Sequence, residues 1–363
     1  MKLLYITNGI NGAGGLERVL SIKVSYLADH YGYKVTILSL NETIHQPFYE
    51  FSSKINFKSI SVGGNPVKYI NAYRERLQII VDEVMPDIIS VCDDGLKGFF
   101  IPQFLKSTAK IIYERHVSKL IEAREGQGFL KTLLTKAKWS LMENLATKFS
   151  KFIVLTEGNR NEWHSLQNIE VIPNPLSFYP EESSNLDTKT VICVGKISFQ
   201  KGQDLLVEAW ERVWEKHPDW KLELYGYPNE QFLNTKNFKE KNIFVFPPEK
   251  KIIEKYLNSS IYVMSSRFEG FGMVLIEAMA CGVPCVSFNC NYGPSDIIDN
   301  ENDGILVENG NILELSNNIM RIIEDENERQ KMGAKARENV QRFLPDKITA
   351  DWHRFFLTLK GEQ

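Results

Sequence analysis

The chain has 363 residues, of which 43% are hydrophobic and 25% charged, with a formal net charge of −3 and five cysteines. This is the composition of a soluble globular protein rather than a fibrous or disordered one, and the length suits two domains of roughly 150 to 200 residues. No apolar run is long enough to span a bilayer, the start MKLLYITNGINGAGG has too short an apolar core for a secretory signal, and an odd number of cysteines argues for a reducing, cytoplasmic setting.

In chain order, apolar strands alternate with helical patterns. LLYIT (3–7), KVTILSL (34–40), DIISVC (87–92), KIIYE (110–114) and KFIVLT (151–156) are the predicted strands of the first half. Those of the second half are TVICVG (190–195), KLELYG (221–226), NIFVF (242–246), IYVMSS (261–266), PCVSF (284–288) and GILVE (304–308). Helical stretches, such as Glu17 to His30 and Gln203 to Glu215, lie between them. This alternation predicts parallel sheets with helices on both faces, whose sites lie at the carboxyl ends of strands. Gly9, Gly12, Gly14 and Gly15 follow the first strand, and Glu269 follows IYVMSS. IPNPLSFYPEESSNLDTKT (172–190), with three prolines in a polar run, is the predicted boundary between domains. The tail FLPDKITADWHRFFLTLK (343–360) reads as an amphipathic helix.

Charge is unevenly distributed. Residues 1–175 hold 21 Lys and Arg against 17 Asp and Glu, and 97–151 hold 11 basic against 4 acidic residues. Within the basic region, Phe129, Leu133, Leu134, Ala137, Leu141 and Leu145 recur at helical spacing beside Lys131, Lys136 and Lys138. Two readings stand: a core helix with a basic outer face, or a peripheral membrane contact that brings in a lipid-linked acceptor. Cys281, Cys285 and Cys290 lie close in sequence, but their spacing is not that of a zinc site and they read as small buried hydrophobes.

The most informative stretch is RFEGFGMVLIEAMACGVPCVSF, Arg267 to Phe288. Gly270 and Gly272 form a turn feeding the helical run MVLIEAMA, and a helix N-terminus with free N–H groups favours a phosphate. Glu269 and Glu277 bracket that turn. Carboxylates repel phosphate but accept hydroxyls, so the chemistry points to a ligand carrying both, such as a sugar nucleotide. No Asp-x-Asp occurs in the chain, so diphosphate charge would be met by cations and a helix start rather than by a metal ion.

The Glu-x7-Glu spacing in EGFGMVLIEAMACGVP resembles the signature of retaining glycosyltransferases of family four, and NGAGGLERVL, IVLTEGNRNEW with VIPNPL, VGKISFQKGQDLLVEAW and NYGPSDIIDNENDGILVENGN resemble the family's other segments in the same order. The resemblance implies a GT-B fold: two Rossmann-like, doubly wound parallel-sheet domains facing a central cleft. Residues 1–176 would form the acceptor-side domain and 177–342 the nucleotide-sugar domain, with 343–363 packing back on the first.

It further implies that Lys196 and Lys201 contact the diphosphate, with Lys196 standing where the family usually has Arg. Gly14 and Gly15 would let the first loop approach the donor. Phe271, Gly272, Met273 and Val274 would offer backbone N–H groups, and Glu277 would accept the ribose hydroxyls. Glu269 and His116 would face the sugar at the reacting centre, Glu269 by positioning and electrostatics rather than as a nucleophile. Arg115 and Glu114 stand beside His116 as lesser candidates. Phe246, in FPPEKK, would lie by the nucleobase, Asn174 and Pro175 at the hinge, and Asp296 at an acidic position of polysaccharide-type members.

The expected activity is retaining, metal-independent transfer of a hexose or N-acetylhexosamine from a UDP-sugar to a sugar acceptor, polyprenyl-linked in one reading, in surface glycan assembly at the inner face of the membrane. No cofactor and no nucleic-acid partner are expected. A sugar-nucleotide epimerase on the same fold and a non-catalytic partner in a glycan-assembly complex are the rival readings.

Overall fold

The computed structural model describes residues 1–42, 46–93, 95–122, 129–227, 232–233 and 237–361. Asp94, residues 43–45 and residues 123–128 of the basic stretch therefore lie outside the described residues. The chain forms two compact units, Met1–Ser177 with Pro345–Gln363, and Phe178–Leu344.

The first unit is built on seven strands: β1 (Lys2–Thr7), β2 (Lys34–Leu40), β3 (Asn56–Ile60), β4 (Ile88–Cys92), β5 (Lys110–Glu114), β6 (Lys151–Val154) and β7 (Ile169–Val171). Their order in the sheet is β3-β2-β1-β4-β5-β6-β7, and every pairing is parallel. The second unit has β8 (Thr190–Val194), β9 (Lys221–Tyr225), β10 (Ile243–Phe246), β11 (Ile261–Met264), β12 (Cys285–Phe288) and β13 (Gly304–Val307), ordered β10-β9-β8-β11-β12-β13 and again all parallel. In both sheets the strand order reverses once, between β1 and β4 and between β8 and β11. The carboxyl ends of those strand pairs are where a doubly wound sheet opens a crevice for a ligand.

The central strands are apolar runs, as expected of a parallel sheet covered on both faces, and β4 shows it with five successive buried residues. Helix Gln203–Lys216 buries Leu206, Ala209, Trp210 and Val213, the spacing of one helical face, into the core of the second unit. The first unit has its own core around Phe99, Tyr113, Phe152 and Trp163. Trp163 and Trp210 are fully enclosed, and truncating either to alanine costs about 3–5 kcal/mol. The C-terminal helix Pro345–Lys360 buries Ile348, Thr349, Trp352 and Phe356 and packs on helix Gly15–His30, with Tyr33 Oη 2.7 Å from His353 Nδ1.

Two strands, β3 and β7, are absent from the sequence expectation. They are the two edge strands of the seven-stranded sheet, and β3 (NFKSI) buries only Ile60 while β7 is three half-buried residues, so neither shows an apolar run. Other strands stop short of their apolar runs. Thr156 leaves β6 to cap helix Glu157–Glu162, its Oγ1 accepting from Asn159 N at 3.0 Å.

Candidate functional site

The site in the second unit grows from the two strands at its switch point. β8 ends into GKISFQKG, and β11 ends into SSRFEGFG. These loops are fastened to each other. Arg267 holds Asp204 by two bonds, Nη1 to Oδ1 at 2.9 Å and Nη2 to Oδ2 at 2.7 Å, donates to Phe199 O at 2.8 Å, and covers the Phe199 ring at 4.1 Å. Arg267 N donates to Gln200 O at 2.8 Å, and Ser265 Oγ donates to Lys201 O at 3.1 Å. Gly202 makes the approach possible: a Cβ there would sit 2.0 Å from Ser265 O, and its φ of +62° suits only glycine comfortably.

Fastening the loops brings Lys201 to Glu269. Lys201 Nζ lies 2.6 Å from Glu269 Oε1, which also accepts from Ser266 Oγ at 2.6 Å. The Glu269 side chain is 6% exposed and that of Lys201 is 23% exposed, so the ion pair lies at the edge of solvent with its carboxylate covered. Gly272, at φ +102°, then caps helix Met273–Ala280. A side chain would strain that turn, and Gly272 O already accepts from Leu275 N at 2.9 Å. The N–H groups of Met273 and Val274 precede the first intrahelical bond, and both residues are half-buried. Phe271 is buried, edge-on to Phe343 at 5.6 Å. Lys196, in the loop after β8, is exposed.

Glu277 is fully enclosed, with Tyr256 Oη donating to its Oε2 at 3.4 Å. Any ligand hydroxyl that reaches it must displace part of its cover. Phe246 stacks on Tyr225 with ring centroids 4.9 Å apart and lines a surface pocket of about 470 Å³ with Lys221, Glu223, Pro247 and Lys255. Lys201, Glu269 and Glu277 do not line that pocket, so its size says nothing about the ion pair. Asp296 is half-buried in the short turn after Gly293, where its carbonyl accepts from Arg342 Nη2 at 2.9 Å. All five cysteines are free and buried, and burial pushes the Cys193 and Cys281 thiols up to about 12, in keeping with packing rather than reactivity.

In the first unit the Gly-rich loop after β1 is lined by carboxylates. Glu42 accepts from Ile10 N and Asn11 N at 3.0–3.2 Å. Glu17 lies against the Cα atoms of Gly12 and Gly14, where an added Cβ would meet its oxygens at 2.5 Å. Gly14 caps helix Gly15–His30 without a side-chain bond. A loop faced by two carboxylates suits sugar hydroxyls better than phosphate.

His116, just past β5, comes together with Glu114. Its Nε2 lies 3.3 Å from Glu114 Oε2 but is out of line for a hydrogen bond. Glu114 is enclosed, accepts from Ser90 Oγ at 2.6 Å, and pairs with the buried ammonium of Lys23. Burial pushes the Glu114 carboxyl up, but the Lys23 charge and then His116 outweigh it and bring it down to about 2. Cys92, Glu114 and His116 offer ligand atoms within 4.8 Å of one another, yet Lys23 already supplies the cation that this carboxylate needs. Arg115 turns away, its Nε donating to Val117 O at 2.9 Å and its guanidinium 5.9 Å from the Trp163 ring.

The sequence pattern placed Lys201, Glu269 and the helix start together, but it missed Arg267, Asp204, Ser266, Tyr256, Ser90 and Lys23. All but Ser266, which lies three residues from Glu269, act by a contact across many residues, and none stands at a spacing that marks it.

Residues 178–339 match the family model for glycosyl transferases group 1. An uncharacterized glycosyltransferase of Haemophilus influenzae is 29% identical over 361 residues, covering 97% of this chain and 98% of the relative. The amylovoran biosynthesis glycosyltransferase AmsD of Erwinia amylovora is 28% identical over 369 residues, with the same coverage. The crystal structure of TarM has a TM-score of 0.83 at 16% identity, over 98% of each chain. A mutant of TarM from S. aureus, in complex with fondaparinux, alpha-GlcNAc-glycerol and UDP, has a TM-score of 0.78 at 17% identity over 98% of this chain and 100% of that one. Among the described residues, no helix is long and apolar enough to cross a membrane. Residues 178–339 are thus similar to the group 1 glycosyl transferases, and the two parallel-sheet units of the chain have the GT-B fold.

Proposed function

We propose that this protein transfers a hexose or N-acetylhexosamine from a UDP-sugar to a sugar acceptor with retention of the donor's α configuration, and without a metal ion. The observation that carries the reading is the Lys201–Glu269 pair beside the helix start at Gly272, at the carboxyl ends of β8 and β11. A cation and a helix N-terminus meet a diphosphate, and a carboxylate beside them meets hydroxyls or developing positive charge on the sugar. In the reaction, Lys201, Lys196 and the N–H groups of Met273 and Val274 take up the charge that grows on the leaving diphosphate. Glu269 faces the sugar as its anomeric carbon becomes cationic. His116 holds a sugar hydroxyl and Glu277 the ribose once the cover over each moves. The ligands of the TarM complex, UDP and an α-linked N-acetylglucosamine, are the kind of pair such a reaction leaves, which makes UDP the first nucleotide to try.

The acceptor side rests on helix Phe129–Ala146. Leu133, Leu134 and Leu141 are 54%, 70% and 42% exposed beside the exposed Lys131 and Lys136, while Met142, Leu145 and Ala146 are buried. The C-terminal end is thus a core helix, and its N-terminal part suits an anionic lipid surface from which a polyprenyl-linked sugar in surface glycan assembly is taken.

The test is a thermal-shift panel of UDP-, GDP- and ADP-sugars with and without EDTA, followed by proton NMR of the anomeric signal of the product. A shift with one UDP-sugar that survives EDTA, with an α-linked product, is expected. A shift that EDTA abolishes, or a β-linked product, refutes the metal-free retaining reading.

A further inference from the structure

The first unit holds a buried cation outside the roles given above. Lys23, on helix Gly15–His30, is 1% exposed, and its ammonium touches Glu114. It also lies 5.0 Å from the centre of the Tyr5 ring and 4.2 Å from that of Trp352, on the C-terminal helix. A lysine enclosed on three sides by β1, β5 and the returning C-terminal helix is costly unless paired, and its pairing fixes one oxygen of Glu114. Ser90 Oγ fixes the other at 2.6 Å. The carboxylate so held is the group that His116 faces at 3.3 Å, and neither ring nitrogen of His116 makes an aligned hydrogen bond among the described residues. Both ring nitrogens are buried just past the end of β5, so a ligand hydroxyl reaches them only when part of their cover moves.

We infer that Lys23 is a positioning residue for His116: by neutralising and fixing Glu114, it places the imidazole beside a closed ion pair rather than beside a bare carboxylate. This rests on the reading that His116 contacts the donor sugar. Among the described residues, the titratable groups beside it are Glu114 and Cys92, with Lys23 and Tyr5 behind Glu114, while Arg115 points to the Trp163 side. Cys92 is buried and within 4.8 Å, and it is the same in every variant below.

The test is the proton NMR titration of the His116 ring, assigned by its loss in His116→Asn, in the full chain and in Lys23→Met, Glu114→Gln and the double variant. Lys23→Met leaves the carboxylate bare and raises the His116 midpoint by about one pH unit or more, as an opposite charge at this distance does. Glu114→Gln leaves the ammonium bare and lowers it. The double variant removes both charges, keeps the interior balanced, and returns the midpoint close to that of the unsubstituted chain. Should Lys23→Met not fold, the downward shift in Glu114→Gln decides. An unmoved midpoint in the folded single variants overturns the inference. The acid limb of the pH profile of kcat/KM is read in parallel. If the midpoint moves and that limb does not, the coupling stands, and the reading of His116 as a donor contact is what fails.

Discussion

Removing Lys201 probes the site most directly, because the pair it forms has two separable consequences. At 2.6 Å and an effective dielectric constant of about 20, its attraction to Glu269 is roughly 6 kcal/mol before desolvation is subtracted. Breaking a buried pair by deleting one partner costs about 3–5 kcal/mol. Here Lys201 is partly exposed and Ser266 still donates to Glu269, so the loss in Lys201→Met is expected below that range, at about 2 kcal/mol. For a unit the size of Phe178–Leu344 that lowers the melting temperature by about 4–8 °C. The same substitution removes a cation from the diphosphate and weakens UDP-sugar binding by about 100-fold, roughly 2.7 kcal/mol. The double variant Lys201→Met with Glu269→Gln no longer buries an unpaired charge, so it regains most of the lost stability while binding stays weak. Calorimetric melting and titration calorimetry on the parent and the two variants separate the two effects. A single variant that binds the donor as tightly as the parent refutes the phosphate role of Lys201. Equal melting temperatures for the single and double variants refute the pairing argument.

Three further outcomes are expected. Arg267→Lys keeps the charge but loses the two-pronged hold on Asp204, so proteolysis within 196–204 speeds up and the KM for donor rises several-fold; an unchanged cleavage rate counts against Arg267 as the fastener of the two loops. Glu114 has its folded pKa depressed from 4.5 to about 2, so its contribution, on the order of 3 kcal/mol, is full above 4.5 and fades as pH falls toward 2. Urea melts between pH 2 and 5 should therefore show a flatter stability–pH slope in Glu114→Gln than in the parent, and parallel slopes contradict the assignment. Leu133→Glu with Leu134→Glu should abolish co-sedimentation with vesicles containing anionic lipid without lowering the melting temperature, since both leucines are exposed; equal sedimentation removes the membrane reading of that helix.

Much of the fold could be read from local pattern, because a parallel strand buried on both faces is a short apolar run and the helix between two such runs has its own period. Eleven of the strands carry that mark, while β3 and β7, the two edges of their sheet and half-solvated, do not. The Lys201 and Glu269 loops were legible for a related reason: glycines after a strand and before a helix have few other uses, and Gly202 and Gly272 occupy backbone conformations that glycine favours.

What the sequence alone determined, then, is the alternation of strand and helix, the glycine turns at the strand ends, and the carboxylates and lysines that the turns carry. Only the tertiary structure decided how those groups are charged and held. Lys23 meets Glu114 across 91 positions, Arg267 meets Asp204 across 63, and Trp352 arrives from the far end of the chain to cover the Lys23 ammonium. Periodicity reports which face of an element is buried, but not which distant polar group lies under it. A buried charge needs a particular partner at hydrogen-bond distance, and packing the whole chain is what selects that partner.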